Sequence, residues 1–160
     1  MRLLLMTGVL ALGVSGIALG ADCPQVDVRD TGRVESNGWG AARQFEVKNL
    51  GADRVGFLVW RGALVPWVYG HSADIEVEVN GRWRPYIISL DEYIPPHYTL
   101  WVKPGQSRRV AVGEPQWGSG FTGSRGDIDK GPFTLRLSDH RFKCTYRSEP
   151  FVPAEMDVRK

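Results

Sequence analysis

Residues 75–88 read IEVEVNGRWRPYII, and this stretch decides the fold. Ile75, Val77 and Val79 alternate with Glu76 and Glu78, the two-residue period that turns one face of a strand to a core and the other to water. Asn80-Gly81 interrupts the pattern, and both residue types accept the positive φ that a two-residue hairpin loop demands. Trp83 to Ile88 then resumes as a second strand, so the stretch predicts a β-hairpin.

The same period recurs on either side, in Phe45-Glu46-Val47-Lys48 and in Phe133-Thr134-Leu135-Arg136-Leu137. Short runs rich in Val, Ile, Phe, Tyr and Trp, separated by Gly, Pro, Asn and Asp, predict strands over residues 25–29, 43–49, 55–61, 75–80, 83–88, 98–102, 108–112, 133–138 and 141–147, with a closing piece near Phe151. No segment has the periodicity of a helix. Nine short strands in a chain of this size make an all-β, two-sheet sandwich the economical arrangement. Lys103-Pro104-Gly105-Gln106 places Pro and Gly where a type II turn prefers them, and Asp139-His140 is a polar break. With Asn80-Gly81, these predict three hairpins. Residues 62–73 (GALVPWVYGHSA) read as an irregular crossover because of Pro66 and Gly70. Residues 113–131, with six glycines, Trp117 and Phe121, form a connection of unusual length.

The N-terminus predicts export. Arg2 precedes an uncharged apolar run of 17 residues from Leu3 to Leu19, followed by Gly20 and Ala21, which reads as a signal peptide over residues 1–20. A retained membrane anchor is the alternative, but Gly8, Gly13, Gly16 and Gly20 dilute the run and the chain turns polar at once. Asp22 before Cys23 argues against lipidation. The expected product is one domain over residues 21–160, periplasmic or secreted, with no stable membrane insertion after cleavage. Its net charge of about +1 is interspersed and shows no basic stripe, so nucleic acid is not an expected partner. Cys23 and Cys144, in an oxidising compartment, predict one disulfide.

Catalytic patterns are weak. His71, His97 and His140 fall on separate predicted loops, without the i, i+4 spacing of a helical zinc site. Asp139-His140 lacks a strained nucleophile turn to serve. Asp127-Ile128-Asp129-Lys130-Gly131 has only the opening of a calcium loop, and Arg125-Gly126-Asp127 reads as a polar turn. Asp91-Glu92 beside Tyr93 lacks the separation across a sugar that glycoside hydrolysis requires. No cofactor, metal site or catalytic residue is expected.

The aromatic residues carry more information. Of six tryptophans, Trp60, Trp83 and Trp101 lie in strand patterns and are expected to fill or cap the core. Trp39, Trp67 and Trp117 fall in loops marked by Gly or Pro, where indole supplies contact area at low entropic cost.

Four motifs together, Phe45-x-Val47-x-Asn49 with Gly51, Ile75-Glu76-Val77-x-Val79-x-Gly81-x-Trp83, Leu100-x-Val102-x-Pro104-Gly105 and Gly131-Pro132-Phe133-x-Leu135-x-Leu137, resemble bacterial immunoglobulin-like domains of exported proteins. The resemblance spans residues 42–152 and implies a Greek-key β-sandwich serving as a binding or structural module. The cysteines lack the antibody-type spacing around a central Trp, so the antibody superfamily is not implied. The expectation is an exported, non-enzymatic module that binds a protein, of inhibitor or immunity type, through Trp117, Phe121, Arg125, Trp67 and Trp39. A carbohydrate or peptidoglycan ligand stacked on loop tryptophans is the alternative.

Overall fold

The computed structural model describes residues 23–36, 41–86, 94–113 and 131–152. Along the chain these form β1 (Val26–Ser36), β2 (Ala41–Asn49), β3 (Val55–Trp60), β4 (Trp67–Val68), β5 (Ala73–Val79), β6 (Arg82–Pro85), β7 (Tyr98–Val102), β8 (Ser107–Gly113), β9 (Phe133–Ser138) and β10 (Thr145–Arg147). A 3-10 turn, Gly70–Ser72, precedes β5. The strands make two sheets, ordered β1-β2-β8-β4-β3-β7 and β10-β9-β5-β6.

Alternation explains why two sheets close on one core. Phe45, Val47, Phe57, Val59, Val102 and Val110 come from the six-stranded sheet, and Ile75, Val77, Phe133, Leu135 and Leu137 from the four-stranded one, all in one buried cluster. Burying each such side chain stabilises the fold by roughly 1.5–3 kcal/mol. Phe151 closes one side, edge-on to Phe45 at 5.4 Å between ring centroids, and bridges to Phe133. The β5–β6 hairpin forms as its sequence demands, with Asn80 at φ 53° and Gly81 at φ 73°.

Several sequence expectations need correction. The first strand runs to Ser36, beyond Arg29, because Asp30-Thr31-Gly32 makes a bulge within the strand. Gly32 donates its N–H to Asp30 Oδ1, and Thr31 Oγ1 donates to the Gln44 carbonyl at 2.7 Å. Residues 62–73 are not irregular throughout, since Trp67–Val68 pairs parallel with β8 and antiparallel with β3. The strand expected over 141–147 is confined to Thr145–Arg147. Asp139 Oδ1 accepts the N–H groups of Lys143 and Cys144, and Phe142 sits at φ 56°, so this part of the chain turns instead of extending. The second strand of the quoted hairpin is described as Arg82–Pro85.

The Lys103–Gln106 turn forms, with Gln106 N–H on the Lys103 carbonyl and Gly105 at φ 73°, but it does not make a hairpin. β7 pairs with β3 and β8 pairs with β2. Asn49 separates the two strands. Its main chain donates to the Gln106 carbonyl and accepts from Gly105 N–H. Its side-chain amide donates to the Val102 and Asp53 carbonyls, and Oδ1 accepts from Gly51 N–H. Fully buried and fully bonded, Asn49 ties β2 to β7 across the turn.

The Cys23–Cys144 disulfide joins the segment before β1 to the β9–β10 connection. The expected signal segment 1–20 lies outside the described residues, as do most of the 113–131 connection and the Asp91-Glu92-Tyr93, Arg125-Gly126-Asp127 and Asp127–Lys130 motifs.

Candidate functional site

Because Val55, Phe57 and Val59 face the core, Gly56, Leu58 and Trp60 lie on the outer face of the six-stranded sheet. Register places Trp101 opposite Gly56, Thr99 opposite Leu58, Trp67 opposite Trp60, and Ala111 opposite Trp67. Three tryptophans thus share one outward face. Each is half-buried and none belongs to the core cluster. Trp60 and Trp101, expected to fill or cap the core, do not fill it, because each sits one residue out of phase with its inward neighbour, Val59 or Val102. Trp83 lies opposite Glu78, on the outer side of the other sheet, and is likewise half-buried.

Trp67 is anchored. Its indole N–H donates to Glu35 Oε1 at 2.7 Å, and Gln44 Nε2 donates to the other Glu35 oxygen at 2.9 Å. β2 and β8 run between these partners in the sheet, and their outward Ala42 and Ala111, both 0% exposed, leave room for the side chains to meet. A side-chain carbon at Gly62 would lie 2.5 Å from Trp67 Cδ1, so the 61–66 connection folds against the same ring.

Trp60 donates its indole N–H to the Pro95 carbonyl at 2.9 Å and meets Tyr69 edge-on at 5.5 Å. His97 laces the neighbouring segment to the end of β3: its N–H donates to the Val59 carbonyl, and its Nδ1 accepts the Arg61 N–H at 3.0 Å. Around this anchored base, apolar side chains reach water. Leu64 is 77% exposed and Ile94 41%; Tyr98, 40% exposed, stands opposite Val59 and so on the other face of the sheet. β1 and β8 finish at this end of the sheet and β2 and β7 begin there, since Trp60 is level with Trp67 and Ala111.

At the opposite end of β3, Trp101 packs edge-on against His140 at 4.7 Å and carries the Arg54 guanidinium 4.2 Å above its ring. Beside them, Asp53, Arg54, His140, Arg141 and Tyr146 line a cavity of about 160 Å³. His140 Nδ1 is 3.9 Å from Asp139 Oδ2, too far for a hydrogen bond. Burial, reinforced by the Asp139 carboxylate, pushes the Tyr146 phenol up to about 12. Among the described residues no three His, Cys, Asp or Glu side chains gather into a possible metal site.

Of the binding residues expected from sequence, Trp67 is described, and it stands in a strand instead of a loop. Trp39, Trp117, Phe121 and Arg125 lie outside the described residues. Sequence reasoning missed Leu64, Ile94 and the Glu35 anchor. Following the alternation of β3 one residue further would have placed Trp60 outward; nothing local signals that Glu35 meets Trp67. No protein-family model matches the chain, and no curated protein is similar to it.

Proposed function

We propose that this chain is an exported, disulfide-clamped, non-enzymatic binding module of immunoglobulin-like type, working in the periplasm or outside the cell. It recognises a protein partner, as an inhibitor or immunity factor does, through the aromatic end of its six-stranded sheet. The observation that carries this reading is the contrast within that end: Trp60 and Trp67 are held by their own N–H groups, while Leu64 and Ile94 stand exposed in the segments that pack or bond to them. Rigid aromatic support beneath exposed apolar side chains is the anatomy of a protein-binding hot spot, since ordering costs little on association.

The test is affinity capture from envelope and secreted extracts with the oxidised, processed chain, followed by affinity measurement on the purified partner. Leu64→Glu and Ile94→Glu change exposed side chains and are expected to weaken binding at least tenfold without altering the fold. Unchanged affinity in both variants would overturn the assignment of this end. Saturable glycan binding that shifts tryptophan emission, with no protein captured, would favour the carbohydrate reading.

A further inference from the structure

Four strands have an edge with no neighbour among the described residues, namely β1 and β7 in the larger sheet and β6 and β10 in the smaller. Such an edge offers unpaired N–H and C=O groups to any extended chain, and proteins blunt it with charge, proline, bulges or shortness. Three of the four are blunted. β1 carries the Asp30–Val34 bulge together with Asp27, Arg29 and Arg33. β6 reads Arg-Trp-Arg-Pro, and β10 has three residues ending in Arg147. β7, reading YTLWV, has no charge, proline or glycine, and its register with β3 is unbroken over all five residues.

The direction of its free groups follows from β3. Gly56 and Leu58 turn their carbonyls away from β7, to His140 N–H and Tyr69 N–H, whereas the Val59 carbonyl turns toward it, to His97 N–H. Main-chain groups alternate sides along a strand. Val55, Phe57 and Val59 therefore pair with Val102, Leu100 and Tyr98, and the N–H and C=O of Thr99 and Trp101 point to the open edge. Two donors and two acceptors repeating about every 7 Å match another extended polypeptide, and a sugar or lipid does not present that ladder.

Charge narrows the occupant. Residues 97–103, HYTLWVK, contain no acid. Lys103 stands at one end with Arg54 over the Trp101 ring, and His97 stands at the other, bonded to the Arg61 N–H. Antiparallel self-pairing centred on Leu100 would set Lys103 of each copy against His97 of the other and would bring no acid to either lysine, a poor match. We infer that β7 is a strand-addition edge that takes up an extended, acidic segment of the partner. The inference rests on the proposed function for the partner being a protein.

The test is amide exchange by NMR on the labelled, processed chain. Free, the Thr99 and Trp101 amides are expected to exchange at least tenfold faster than those of Leu100 and Val102. An end-capped nonapeptide of alternating Thr and Glu should slow Thr99 and Trp101 at least tenfold; its Thr/Lys counterpart should not. Thr99→Pro removes one outward N–H at an edge position where proline is tolerated. It should abolish the effect while leaving Leu100 protected. Edge amides already as protected as their neighbours, no slowing at millimolar peptide, or equal slowing by both peptides would each overturn the inference. The two readings fail separately. A captured partner sensitive to Leu64→Glu and indifferent to Thr99→Pro removes the edge alone. Edge protection by the acidic peptide with nothing captured removes the module reading alone.

Discussion

Tyr146 is a buried phenol that packs edge-on to Phe57 with ring centroids 6.0 Å apart, and its hydroxyl has no hydrogen-bond partner among the described residues. Its ionisation is raised from 10.0 to about 12, first by burial and then by Asp139. The fold holds the neutral form, whereas the unfolded chain ionises near pH 10. The stabilising contribution is therefore complete below pH 10 and is lost as pH rises through about 12. Tyr146→Phe is expected to show a shallower loss of stability across that window, measured as urea midpoints at pH 8, 10 and 11.5. At pH 8 the variant should match the parent or exceed it by up to about 1 kcal/mol, because no hydrogen bond is lost. Asn49 shows the limit of local reading at this scale. Its place after Phe45-x-Val47 was legible, but its bonds to Val102 and Gln106, more than fifty residues away, were not.

At the scale of elements, the 61–66 connection positions the candidate site. A side-chain carbon at Gly62 would fall 1.8 Å from the Val65 carbonyl oxygen, so Gly62→Ala must displace the turn that packs on Trp67. The expected cost is about 1–3 kcal/mol in chemical denaturation, with a shift in tryptophan emission as the Trp67–Glu35 bond loosens. An unchanged midpoint and spectrum would show that the turn does not hold the ring. Alternation and turn chemistry made β2, β3, β5, β7, β8 and β9 legible, since each carries its own period. β4 was not legible, because a two-residue strand has no period and forms only where Ala111 and Trp60 flank it. For the same reason the candidate site was only partly readable: Trp67 stood out by composition, but its anchoring comes from β1.

Across the whole molecule, the Cys23–Cys144 bridge closes a loop of 121 residues and ties the segment before β1 to the β9–β10 connection of the other sheet. Chain entropy assigns such a closure about 4–5 kcal/mol. Paired Cys23→Ser and Cys144→Ser substitution is therefore expected to lower unfolding stability by about that amount, read from urea denaturation beside the oxidised parent. A loss under 1 kcal/mol would show that the two sheets hold the segment before β1 without it. Sequence alone determined the all-β class, the β5–β6 hairpin, the Lys103–Gln106 turn and the cysteine pairing, because alternation, positive-φ residues and an even cysteine count act locally or by simple number. Only the tertiary structure decided that β7 and β8 part at Asn49, that Trp60, Trp67 and Trp101 share an outer face, and that β7 has β3 as its one neighbour among the described residues. Strand order rests on pairings between distant segments, and no local period encodes which strand becomes a neighbour.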